Sequence, residues 1–242
     1  MTRSISIIIP AFNEQDRLPE TLRRVEDYLH ENAWSFHEVL VVDDGSTDGT
    51  AEAVSAIAEQ NPHVRLLRNP GNRGKGYSVR HGMLEAKGEW RLFSDADLST
   101  PIEELEKLWC AVVQGKDAIA IGSRAVDRSL IGIHQPGMRE TFGRIFNGVM
   151  RASIGLPIAD TQCGFKLFRA DVAKEVFSRQ TLERFGFDAE ILYIAFKHGY
   201  SIAEIPVRWN HVDGSKVTMF NGLHAFKELA EIRLNSMRGK YR

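Results

Sequence analysis

The sequence predicts an α/β fold, a mostly parallel sheet covered by helices on both faces. Short runs rich in Ile and Val alternate with segments whose apolar residues recur at helical spacing. Those runs are apolar at nearly every position, as strands buried on both faces must be, and each stops at a polar loop. No stretch rich in Pro, Gly or Ser divides the chain and no repeat is visible, so one domain spanning residues 1–242 is expected.

Ile5-Ser6-Ile7-Ile8-Ile9, stopped by Pro10, precedes a helix whose inward face is Leu18, Leu22, Val25 and Leu29. Val39-Leu40-Val41-Val42 precedes a second helix marked by Ala51, Val54, Ile57 and Ala58. Val64 to Leu67 leads to a helix over Gly74 to Ala86, and Trp90 to Ser94 to a helix from Ile102 to Val113. Ala118-Ile119-Ala120-Ile121 supplies a fifth strand. The rhythm then changes: Arg124 to Met138 reads as loop, Arg139 to Ile154 as helix, and Gly164 to Arg169 as a returning strand. Two halves result, 1–123 with the build of a nucleotide-binding layer and 124–242 as an acceptor-side region on the same body.

Lys and Arg number 31 against 32 Asp and Glu, a net charge of -1, which excludes the basic footprint of a nucleic-acid binder. An anionic ligand would be met by local cations. Two cysteines, Cys110 and Cys163, each in an apolar stretch, fit a reducing compartment and argue against a disulfide scaffold or a structural zinc. Without a signal-peptide core or an apolar run of about 18 residues, the expected location is cytoplasmic, with peripheral contact at the membrane face left open.

Asp95-Ala96-Asp97 follows a buried strand and precedes Leu98-Ser99-Thr100-Pro101. Two carboxylates at a strand end offer hard oxygen ligands to Mg²⁺ or Mn²⁺, whose charge would stabilise a departing diphosphate. The competing reading is a capped turn, with Asp97 or Ser99 serving the helix from Ile102. A dinucleotide fingerprint would need a glycine-rich turn after the first strand, where Pro10-Ala11-Phe12-Asn13-Glu14 stands instead. Gly71-Asn72-Arg73-Gly74-Lys75-Gly76 lacks the Walker spacing, yet its glycines allow close backbone approach, with Lys75 and the following helix start available to a diphosphate. Asp43 and Asp44 lie past the second strand, where a carboxylate can accept from a base or ribose; the competing reading for Asp44 is an Asx turn with Gly45 to Thr47.

Taken in order, Ile7 to Glu14, Val41 to Thr50, Gly74-Lys75-Gly76 and Asp95-Ala96-Asp97 resemble the GT-A glycosyltransferases of family 2. Gly122-Ser123-Arg124, Asp160 to Lys166, Phe187-Asp188-Ala189-Glu190, Val207-Arg208-Trp209 and Gly214-Ser215-Lys216 resemble the branch that glycosylates dolichyl and other polyprenyl phosphates, the glucosyl members above all. The resemblance implies UDP-glucose as donor, a lipid phosphate as acceptor, inversion at the anomeric carbon, and Mg²⁺ or Mn²⁺ as cofactor. It implies that Pro10, Ala11, Asn13, Glu14, Asp43 and Asp44 line the base and ribose pocket and that Lys75 approaches the donor phosphates. Asp97 would be the direct metal ligand and Asp95 a ribose, sugar or water-mediated metal contact. Arg124 and Lys166 are the expected cations for the acceptor phosphate, Arg208 and Lys216 outer ones, and Asp160 orients Lys166, contacts the sugar or caps its loop.

A lipid phosphate is already anionic and attacks without a strong base. A hydroxyl acceptor would instead call on Asp188, Glu190 or His211. The helix 139–154 mixes Phe142, Ile145, Phe146 and Val149 with Arg139, Arg144 and Arg151, which suits a membrane interface or a core face. Met219 to Met237 presents the same choice, with a homodimer contact as a third possibility. The alternatives carried forward are a family 2 enzyme using GDP-mannose or a hydroxyl-bearing saccharide, and a nonenzymatic nucleotide-sugar sensor.

Overall fold

The computed structural model describes residues 3–115, 117–133, 148, 155–212 and 220–242, with the backbone alone for 220–226. The first half alternates as its apolar runs predict: β1 (Ser4–Ala11), α1 (Leu18–Glu31), β2 (Phe36–Asp43), α2 (Thr50–Gln60), β3 (Val64–Arg68), α3 (Lys75–Glu85), β4 (Trp90–Ser94), α4 (Leu105–Gln114) and β5 (Ile119–Ser123). The helix expected from Ile102 starts as a 3-10 turn, Ile102–Glu104, before α4. Beyond β5 come β6 (Ile131–Ile133), β7 (Phe165–Arg169), α5 (Ala170–Arg179), α6 (Phe187–Lys197), β8 (Ile202–Pro206), β9 (Trp209–Asn210) and α7 (Phe220–Met237).

The seven-stranded sheet runs β3-β2-β1-β4-β7-β5-β8. All neighbours are parallel except β7, which lies antiparallel between β4 and β5. The acceptor-side half therefore places a strand inside the sheet of the first half, and the boundary at residue 123 divides the sequence without dividing the sheet. The chain winds outward from β1 to β3 and returns on β1's other side as β4, so β1 and β4 flank a topological switch point. In open α/β sheets a ligand crevice forms at such a point, off the carboxyl ends of the strands.

Alternation along β1 divides the core. Ile5, Ile7 and Ile9 face α1, α2 and α4 together with Leu22, Val25 and Trp109, whereas Ile8 joins Val79, Met83, Phe168 and Phe187 under α3, α5 and α6.

Two expectations change. Within the loop expected from Arg124, β6 pairs in parallel with β9 as a separate ribbon. The helices α5 and α6 and the edge strand β8 occupy stretches to which no element was assigned. The helix expected over 139–154 lies outside the described residues except for Gly148, and Lys216 lies outside them as well. Among the described residues no helix is long and apolar enough to cross a membrane.

Candidate active site

The ends of β1 and β2 are stitched together by their own loops. Asn13 sits at φ 54, in the left-handed region that Asn tolerates; its N–H donates to Ser46 Oγ (2.9 Å) and its Oδ1 accepts from Thr47 N–H (2.8 Å). Glu14 N–H donates to Thr50 Oγ1 (2.8 Å), and the Glu14 carboxylate pairs with Arg17 (2.9 Å). Pro10 and Ala11 close β1 beside Val42 and Asp43 of β2.

The two aspartates that end β2 have different occupations. Asp43 closes the local turn, accepting from Ser46 N–H through Oδ1 (3.1 Å). Asp44 does not take part in that turn. Its Oδ1 accepts from Asn69 Nδ2 (2.8 Å) and Arg73 N–H (2.9 Å), and its Oδ2 from Gly74 N–H (2.7 Å). Asp44, like Asp43, has only 4% of its surface exposed, and it holds the 69–74 loop in place. Gly74, at φ +110, passes so close to the Glu183 carbonyl that a Cβ there would lie 2.6 Å from its oxygen.

Lys75 opens α3 and reaches the acidic turn, its Nζ 2.6 Å from Asp95 Oδ1. Burial disfavours the ammonium, but Asp95 and Asp188 outweigh it and the lysine's pKa is raised. Two N–H groups at the start of α3 are engaged by the 183–184 backbone: Gly76 N–H donates to Arg184 O (3.2 Å) and Tyr77 N–H to Glu183 O (3.0 Å).

Asp95-Ala96-Asp97 emerges from β4 at the switch point. Asp95 N–H donates to Gly164 O (3.2 Å), Ala96 O accepts from Thr21 Oγ1 on α1 (2.6 Å), and Leu98 is held at φ 45. Asp97 Oδ1 accepts from Ser99 N–H (2.9 Å), so the carboxylate shapes its own turn and does not cap the helix beyond. Burial, then the neighbouring Asp95, pushes the Asp97 carboxyl above the usual carboxylate range. Among the described residues no three His, Cys, Asp or Glu side chains are grouped to hold a metal. A partly buried carboxylate raised by a second one beside it still fits a hard divalent cation that completes its shell with phosphate oxygens and water.

Arg124 follows β5 and faces this turn. Its Nε and Nη2 bind Asp160 Oδ2 and Oδ1 (2.7 and 2.8 Å), its backbone N–H also donates to Oδ2 (3.0 Å), and its guanidinium lies 5.5 Å from the centre of the Trp209 ring. Asp95 adds to the field that keeps it charged. Asp160 therefore orients Arg124, not Lys166, and is itself fixed by Glu204 of β8, which accepts from Ala159 and Asp160 N–H groups (2.9 and 2.8 Å). Burial opposes ionisation of Asp160, but Arg124 outweighs it and brings the carboxyl down to about 2. A depressed carboxyl stabilises the fold above its unfolded value and loses that contribution as pH falls through the folded one. Acid unfolding followed by circular dichroism should show on the order of 2 kcal/mol disappearing as pH drops from 3.8 toward about 2. Asp160→Asn should lack that part of the acid limb.

Two expected acceptor cations are engaged elsewhere. Lys166 has no exposed surface: its Nζ donates to Asp188 Oδ1 (2.5 Å) and Cys163 O (2.6 Å), so it locks a loop and no phosphate can reach it. The same pair occupies Oδ1 of Asp188. Arg208 is bound by Glu104, which also holds Lys107 (2.6 Å). Glu190 is buried among backbone donors, and His211 stacks on Trp209 at 6.1 Å. The residues that arrange the site without having been singled out are Gly164, Trp209, Glu204 and Gln180. Gly164 and Trp209 stand inside quoted motifs, whereas nothing local marks Glu204 or Gln180.

Residues 6–177 match the family described as Glycosyl transferase family 2. The chain belongs to this family. Among its relatives are the dolichyl-phosphate beta-glucosyltransferase of Dictyostelium discoideum, 35% identical across 97% of this chain and 75% of that one, and that of Homo sapiens, 35% identical across 100% and 78%. The Mycobacterium tuberculosis glucosyl-3-phosphoglycerate synthase, whose structure holds Mn²⁺, UDP and glucosyl-3-phosphoglycerate, superposes with a TM-score of 0.67 at 17% identity, covering 95% of this chain and 80% of that one. The mannosyl-3-phosphoglycerate synthase of Rubrobacter xylanophilus gives a TM-score of 0.72 at 14% identity, covering 98% and 74%. These likenesses establish the GT-A fold for this family 2 glycosyltransferase.

Proposed function

We propose that the chain transfers glucose from UDP-glucose to dolichyl phosphate or a related polyprenyl phosphate, with inversion at the anomeric carbon. The observation that carries the geometry is the 2.6 Å ion pair of Lys75 with Asp95, together with the Arg124 guanidinium that Asp160 fixes after β5. A diphosphate and a monophosphate can therefore be held on either flank of one carboxylate turn. The choice of sugar and lipid rests on the relatives' names.

In this reading Pro10, Ala11, Asn13, Glu14 and Asp43 form the nucleoside pocket, with Asp44 shaping its wall through the 69–74 loop. Lys75 neutralises the donor diphosphate. Arg124, its Nε edge fixed by Asp160, offers its remaining N–H groups to the acceptor phosphate, holding the nucleophile and offsetting repulsion between the two anions. A phosphate oxygen forms the new bond to the anomeric carbon as the bond to UDP breaks, and no proton needs to be removed. Asp97, with Asp95, would hold Mg²⁺ or Mn²⁺, which when bound supplies positive charge to the leaving diphosphate.

The work divides between residues 1–123 and 124–242 of one catalytic domain, with peripheral membrane contact at the cytoplasmic face as the setting for a lipid acceptor. The test supplies purified protein and Mn²⁺ with UDP-glucose or GDP-mannose, and with a polyprenyl phosphate or a panel of saccharides. UDP-glucose with the lipid phosphate should give the β-linked product fastest. Faster turnover with GDP-mannose would overturn the donor, transfer only to hydroxyls the acceptor, and tight UDP binding without any transfer would promote the sensor.

A further inference from the structure

The first turn of α6 carries a fully buried carboxylate. Glu190 has no exposed surface, and donors converge on both its oxygens: Thr181 N–H (3.1 and 3.0 Å), Thr181 Oγ1 (2.5 Å), Leu182 N–H (2.8 Å) and Tyr241 OH (2.5 Å). Asn235 of α7 adds a bond to Thr181 Oγ1 (2.9 Å). Glu190 thus pins the start of the segment that leads into its own helix.

That segment wraps the first turn of α3. Gln180 Nε2 bridges Gly76 O (2.9 Å) and Leu182 O (2.7 Å), while the Glu183 carboxylate grips the Arg73 guanidinium (3.1 and 2.5 Å). The carbonyls of Glu183 and Arg184 take the N–H groups of Tyr77 and Gly76. The approach is so close that a Cβ on Gly76 would lie 2.8 Å from Leu182 O. Lys75 sits between these contacts, and its reach to Asp95 is set by where the wrapped turn stands.

We infer that Glu190 is a positioning residue for the donor diphosphate, acting through residues 180–184 on Lys75. The inference rests on the proposed contact between Lys75 and the diphosphate. A glutamine in its place has one carbonyl oxygen where the carboxylate has two, and its NH₂ would meet donors, so part of the 181–182 anchorage would go unpaired. A displacement of about 1 Å at a charged contact costs about tenfold in affinity at an effective dielectric of about 20.

The experiment is a double-mutant cycle read by calorimetric titration of UDP in the presence of Mn²⁺. Glu190→Gln and Lys75→Ala should each weaken UDP binding about tenfold, and the double variant should bind no more weakly than Lys75→Ala alone. Thr181→Val, which removes only the hydroxyl arm, should give a smaller loss that also vanishes in the Lys75→Ala background, and it serves if Glu190→Gln does not fold. A merely structural role would lower thermal stability without this dependence on Lys75. Additive losses, or unchanged UDP affinity in Glu190→Gln, would overturn the inference while leaving Lys75 in place. Wild-type UDP affinity in Lys75→Ala would overturn both.

Discussion

Asp97→Asn should lose transfer by about a thousandfold in kcat, roughly 4 kcal/mol of barrier, while remaining as stable as the parent. The two halves of that expectation have separate physical origins. The amide keeps an oxygen for Ser99 N–H, so the turn that Asp97 closes survives. It removes a carboxylate whose charged form the fold disfavours, since burial and Asp95 both push its pKa up. A group raised in the folded state withdraws stability as pH climbs through its titration, so near neutrality its neutralisation costs the fold nothing. The cost falls on turnover, where an anionic ligand for a divalent cation beside the leaving diphosphate is gone. Turnover and thermal midpoint measured together check this. Activity near wild type with saturating Mn²⁺ would remove Asp97 from the metal site, and a large fall in midpoint would make the defect structural.

The fold was legible where it depends on local patterning. Apolar runs at Ile5 to Ile9 and Val39 to Val42 could only be strands buried on both faces, and the helices after them showed their inward positions at the right spacing. Strand order was not legible. Nothing in Phe165-Lys166-Leu167-Phe168-Arg169 says that it runs antiparallel between β4 and β5, because that placement is decided by partners 45 to 79 residues away.

The same non-locality hid the partners of side chains at the site. Lys166 reads as a solvent cation on an alternating strand, but β7 is covered on both faces, so the lysine is buried and needs a carboxylate that α6 supplies. Asp44 looks like a turn residue or a ligand contact; the donors that claim it come from residues 69, 73 and 74. The place of the acidic turn, by contrast, could be read directly, because Asp95 and Asp97 directly follow the apolar run that forms β4.

Gly164→Ala should reduce kcat/KM by more than a hundredfold through a single methyl group. Gly164 stands against the Asp95 carboxylate, and a Cβ there would collide with its oxygens and its Cγ. The backbone cannot retreat easily: Gly164 O accepts from Asp95 N–H (3.2 Å), and the next residue, Phe165, is registered against Ser94 in the sheet. The carboxylate must therefore swing, breaking its 2.6 Å pair with Lys75 and changing the field at Arg124. Both flanks of the site are disturbed at once, so UDP affinity and acceptor use should fall together, whereas Arg124→Ala should weaken acceptor use and spare UDP binding. Overpacking of this kind also costs about 1–3 kcal/mol of stability, so the thermal midpoint should drop while the protein stays folded at 25 °C. UDP titration and steady-state kinetics on both variants decide the matter. If Gly164→Ala binds UDP and turns over like the parent, the orientation of Asp95 seen here is not the one that catalysis uses.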